Sequence, residues 1–109
     1  MKSSAIKVGN RVYSIASIDD TTFDLILSQK GVQDPEIKSF IDYDDQLILV
    51  RDRLQNDHKK ELLLHELLHS CMEDSGIVQD EFVENFIKVL SPRLIGIVEE
   101  LPLVFSEAV

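Results

Sequence analysis

The chain has 109 residues, 44% of them apolar, with 20 acidic against 11 basic side chains and a formal charge of −9. That length suits one domain with its own core, and so acidic a balance excludes phosphate-backbone recognition, which needs a positive surface. Charged residues interrupt every apolar run, so no membrane span is expected.

The start, MKSSAIKVGNRVY, has no continuous apolar stretch of the secretory kind. The single cysteine, Cys71, rules out an internal disulfide and fits a reducing compartment. The expectation is a cytoplasmic protein, 1–109 forming one domain. No repeat, low-complexity tract or linker divides it.

Gly9-Asn10 is a two-residue turn signal between Ile6–Val8 and Arg11–Ile15, and predicts a hairpin. Thr21 or Thr22 can cap a short helix to about Lys30, with Gly31 suited to its left-handed stop. Lys38–Tyr43 and Gln46–Arg51 read as a second hairpin joined at Asp44-Asp45. Within it Leu47 and Leu49 fall on one face and Ile48 and Val50 on the other. A strand apolar on both faces is buried on both. The pattern changes near residue 55, from mainly strands (1–55) to mainly helices (56–101). Asn56 or Asp57 opens a helix over 59–74, which Gly76 ends. A second helix starts near Gln79 or Asp80, with Val83, Phe86, Ile87 and Leu90 as its stripe. Pro92 kinks it or starts another with Ser91 as cap, to about Leu101; 102–109 reads as irregular. The fold class is α+β, with a small, mostly antiparallel N-terminal sheet packed on two helices.

The first long helix carries His65-Glu66-Leu67-Leu68-His69, an HExxH motif. Residues four apart lie about one turn apart on a helix, so both imidazoles project from one face toward one ion. Glu66 lies about 100° round from His65, near enough to act on a water there as general base without being a ligand. Imidazole nitrogens suit Zn²⁺. Leu63, Leu64, Leu67, Leu68 and Cys71 form a stripe on the opposite side of the helix, which makes Cys71 a small buried hydrophobe. The histidine face, with Leu62 between the two rings, is then expected to be covered by another part of the fold.

A catalytic zinc site takes three protein ligands and leaves one position open. Met72 and Ser75 stand where the longer metzincin motif needs Gly and His, so the third ligand is expected to be a carboxylate on the next helix. Periodicity favours Glu84, at the border of the Val83, Ile87, Leu90 stripe. Glu81, with Asn85 four residues on, is the alternative. His58 lies about 10 Å from His65 along the helix and reads as a first-turn surface residue.

The run from Ile41-Asp42-Tyr43 through Leu47–Val50 and Lys60–His69 to Asp80-Glu81-Phe82-Val83-Glu84 resembles small phage and bacterial zincin-like proteins related to the ImmA/IrrE metallopeptidases. The resemblance spans roughly residues 38–95. It implies a minimal zincin core, with His65 and His69 as histidine ligands, Glu66 as base and Glu84 as the glutamate ligand. Lys88 stands where relatives often carry Asn, and Pro92 comes early in the second helix.

The expected activity is zinc-dependent peptide hydrolysis on a peptide or protein substrate, with Gln46–Arg51 as an edge strand that pairs with it. Tyr13, Tyr43, Arg51 and Arg93 are the candidate oxyanion helpers. The alternative function is a non-catalytic zinc-binding module that acts through protein interaction. Neither nucleic acid nor membrane is an expected partner, and the oligomeric state is not legible.

Overall fold

Gly9 closes the first hairpin because its backbone sits at φ +59°, and because the Asp74 carboxylate occupies the space a side chain there would need. In the computed structural model, which describes residues 3–108, this turn joins β1 (Ser3–Val8) to β2 (Arg11–Ile18). Next comes α1 (Asp20–Gln29). Its cap is Asp19, with extended backbone and a carboxylate that accepts from the Thr22 N–H at 2.9 Å, not Thr21 or Thr22 themselves. The chain then turns at Gly31, φ +81°, as expected.

β3 (Ser39–Asp42) and β4 (Leu47–Arg51) form the second hairpin. The sheet order is β1-β2-β4-β3, and β4 runs parallel to β2. The sheet is therefore mixed, which corrects the expectation of a mostly antiparallel one. Strand β4 is also central, not an edge. A chain that crosses over through α1 lays β3 outside and returns β4 into the middle, so both backbone edges of β4 are paired. The two-faced apolar pattern of Ile48, Leu49 and Val50, all within 3% of fully buried, records that position.

On one sheet face Ile18 and Leu49 pack with Phe23 and Leu27 of α1. Arg51 sits beside them with 2% of its surface exposed. Its guanidinium donates to Asp20 at 3.0 Å, Asp24 at 2.7 Å and the Ile37 carbonyl at 2.7 Å, and lies 4.1 Å over the Phe23 ring. We expect Arg51→Met, which keeps the apolar stem, to lower stability by about 1.5–3 kcal/mol through loss of these charge-assisted bonds. Urea unfolding measures this; an unchanged midpoint would contradict a structural role.

The other sheet face meets α2 (Asn56–Asp74), which contacts β1, β3 and β4, and α3 (Glu81–Ala108) packs on α2. Gln55 is the N-cap residue of α2 and makes no side-chain capping bond; Asn56 and Asp57 lie inside the first turn. The leucine stripe is not the buried face expected of it. Leu63, Leu64, Leu67 and Leu68 are half-buried, Glu66 and Ser70 are buried, and Cys71 is exposed. With the sheet on one flank and α3 on another, the contacts of α2 are spread around the helix.

α3 runs unbroken through Pro92 and Pro102, so neither the restart at Ser91 nor the irregular 102–109 tail is seen across the described residues. Pro92 removes one N–H from the ladder. On either side of it the Ser91 hydroxyl donates to the Ile87 carbonyl and the Arg93 guanidinium to the Val89 carbonyl, both at 2.7 Å. Ile87 is fully buried, whereas Phe86 is half-exposed and stacks on exposed Phe82 at 6.4 Å. Among the described residues, no helix is long and apolar enough to cross a membrane.

Candidate metal centre

His65 and His69 project from the middle of α2 toward the seam between β3 and α3. Their Nε2 atoms lie 3.1 Å apart. Glu84 completes the group from the first turn of α3. The loop between the helices turns at Gly76, φ +72°, and Asp80 caps α3 by accepting from the Val83 N–H at 3.0 Å. That cap sets the phase of the helix so that Glu84 faces α2. Its Oε1 is 3.2 Å from His65 Nε2 and its Oε2 is 2.6 Å from His69 Nε2. Glu81, one turn earlier in phase, is exposed and outside the group.

The three residues fit a divalent ion. One nitrogen from each ring and a carboxylate oxygen fall within 4.8 Å of one another. Four ligands held tetrahedrally at 2.0–2.1 Å from zinc stand about 3.3 Å apart; the two imidazole nitrogens are 3.1 Å apart, and each meets a different oxygen of Glu84. The two Nε2 atoms and the Glu84 carboxylate lie close enough together to share one ion. Such a donor set suits zinc and other borderline divalent metals alike.

Glu66 lies beside this group, 7% exposed, and accepts from the Ser39 hydroxyl at 2.6 Å. Burial pushes its carboxyl above the usual range, while the Ser39 bond and the two imidazoles pull it back. Ser39, at the start of β3, escaped sequence reading because an isolated serine 27 positions before its partner leaves no local signal. Gln79 escaped it too. Its Oε1 is 2.5 Å from His69 Nδ1, and its amide nitrogen donates to the Tyr43 hydroxyl at 3.1 Å. Burial raises the Tyr43 phenol above its ordinary value, while the Gln79 bond pulls it back.

A cleft of about 640 Å³ opens over these residues, with Ile37, Lys38 and Ser39 along one wall and Lys88 at the rim. Lys88 Nζ is 4.0 Å from Glu84 Oε1 and its side chain is 63% exposed. His58 does not join the metal group.

Of the proposed oxyanion helpers, Arg51 is committed to Asp20 and Asp24 on the far side of the sheet, and Arg93 to the backbone of α3. Tyr13 is fully buried with no partner for its hydroxyl among the described residues, and Tyr43 is held by Gln79. None lines the cleft. Comparison with protein-family models, with curated proteins and with solved structures finds no match to this chain.

Proposed function

We propose that this chain is a zinc-dependent peptidase on a minimal zincin core, with His65, His69 and Glu84 as ligands and Glu66 as the general base. The convergence of two imidazole Nε2 atoms and the Glu84 carboxylate on one point, beside a buried glutamate, carries this reading. A zinc ion held there supplies Lewis acidity toward a carbonyl and brings the pKa of water to about 7. Glu66 takes the proton of the attacking water and passes it to the amine that leaves as the C–N bond breaks. Ser39 holds the Glu66 carboxylate in place through its hydroxyl, which leaves the second carboxylate oxygen for proton transfer.

The peptide is taken along the cleft wall. Strand β3 pairs with β4 on one side only, and its first residue, Ser39, lines the cleft with Ile37 and Lys38. An extended substrate that adds to this edge presents its backbone toward the histidines. The pairing role read for Gln46–Arg51 thus passes to the neighbouring strand.

A second reading has one observation in its favour. Tyr13, Tyr43, Arg51 and Arg93 are all placed outside the cleft lining, which suits a zinc-holding interaction module that does not hydrolyse its partner. Metal content and a mixed peptide pool separate the two. The peptidase is expected to carry about one zinc per chain and to cleave the pool with loss of activity on chelation. Stoichiometric zinc without cleavage of any peptide selects the interaction module. Failure to take up zinc at all removes both.

A further inference from the structure

Three groups converge on the Gln79 amide, and they differ in what they can donate. His69 Nδ1 lies 2.5 Å from Oε1, the Tyr43 hydroxyl 3.1 Å from Nε2, and Glu73 Oε2 3.4 Å from Nε2. The Tyr43 hydroxyl can donate or accept, so by itself it does not decide which end of the amide faces it. Glu73 favours one end, because a carboxylate oxygen accepts and the amide nitrogen lies 3.4 Å from it. The NH₂ end then faces Glu73 and Tyr43, and the carbonyl end faces His69.

We propose that Gln79 is a positioning residue that selects the metal-binding tautomer of His69, with Glu73 and Tyr43 setting the direction of its amide. The inference rests on the reading of His69 as a metal ligand. With the Gln79 carbonyl against Nδ1, the ring must carry its proton there. A neutral imidazole holds one proton, so Nε2 keeps its lone pair for an ion shared with His65 and Glu84; with no ion there, the Glu84 carboxylate 2.6 Å from Nε2 is a second acceptor that competes for the ring proton. The flipped amide has the opposite effect. Its NH₂ would donate to Nδ1 and drive the proton onto Nε2, where it blocks the metal.

The placement of these groups ties the site to the fold. Glu73 follows His69 by one turn on α2, so the two share a face. Gln79 comes from the loop that joins the ligand-bearing helices, and Tyr43 from the residue after β3. The same amide thus ties the loop between the helices to α2 and to the end of β3 beside the metal group.

The test compares full-length wild type with Gln79→Leu and Gln79→Glu. Zinc affinity is read by competition with a chromophoric chelator, and the His69 tautomer by two-bond ¹H–¹⁵N spectra above pH 8 of the metal-free proteins in a Glu84→Ala background, which removes the competing acceptor at Nε2. Gln79→Leu is expected to weaken zinc binding by about 10–100-fold and to move the His69 proton to Nε2. Gln79→Glu, whose carboxylate still accepts from Nδ1–H, is expected to bind at least about tenfold tighter than the leucine variant. Equal zinc affinity of wild type and folded Gln79→Leu overturns the proposal, and so does a His69 protonated on Nε2 in the Glu84→Ala protein that keeps Gln79. That spectrum decides even if the leucine variant does not fold. A wild type that takes up no zinc removes the metal reading itself, a result distinct from equal binding by the two.

Discussion

Glu84→Ala is expected to weaken zinc binding by about two orders of magnitude or more, while Glu81→Ala leaves it within about twofold. Binding free energies of roughly 10–16 kcal/mol are shared among the ligands of a protein zinc site. The loss of one protein ligand, partly replaced by water, then costs about 3 kcal/mol, and each 1.4 kcal/mol is tenfold. Glu84 is the only carboxylate grouped with His65 and His69 among the described residues. Glu81 is exposed at the first position of α3, where its main contribution is to the helix dipole, about 0.3–1 kcal/mol of stability. Chelator competition on both variants measures the contrast. Comparable losses in the two would show that the phase of α3 differs from the one described.

Glu66→Gln is expected to keep zinc within a few-fold of wild type and to lower peptide cleavage by about 10²–10⁴-fold, the range of general-base contributions. Glutamine keeps the shape of the side chain, and its carbonyl oxygen still accepts from the Ser39 hydroxyl. What it lacks is a site for the proton. The substitution also removes a buried carboxyl whose ionised form is disfavoured by burial, so the fold is not expected to weaken. Activity loss with zinc and stability retained therefore reports on chemistry. Cleavage that persists in Glu66→Gln would assign the proton transfer to another group.

The candidate site was legible to different depths. The HExxH spacing places His65 and His69 on one helix face by local geometry, and the structure has their nitrogens 3.1 Å apart. The stripe of Val83, Ile87 and Leu90 favours Glu84 over Glu81, and the resemblance implies the same residue; the stripe also takes in Phe86, which the structure leaves half-exposed, because a 3.6-residue period does not say where its border falls. Cys71 was misplaced for a related reason. A leucine-rich stripe marks the apolar side of a helix, but α2 has neighbours on two flanks, and its most buried positions are Glu66 and Ser70. Pro92 reads in the sequence as a kink or a new start because its missing N–H weakens the ladder. The helix passes through it with side-chain bonds to the Ile87 and Val89 carbonyls on either side.

The HExxH motif, the first hairpin at Gly9, the two-faced burial of Leu47–Arg51 and the α+β class all follow from the sequence by itself. Each depends on residues a few positions apart, where backbone period and turn chemistry act directly. The parallel pairing of β2 with β4, the edge position of β3, and the meeting of Ser39 with Glu66 and of Gln79 with His69 depend on segments distant in the chain. No periodicity encodes those contacts. They exist only once the α1 crossover has inserted β4 into the sheet and the loop after Gly76 has turned α3 back onto α2, which is also what brings Glu84 to the two histidines.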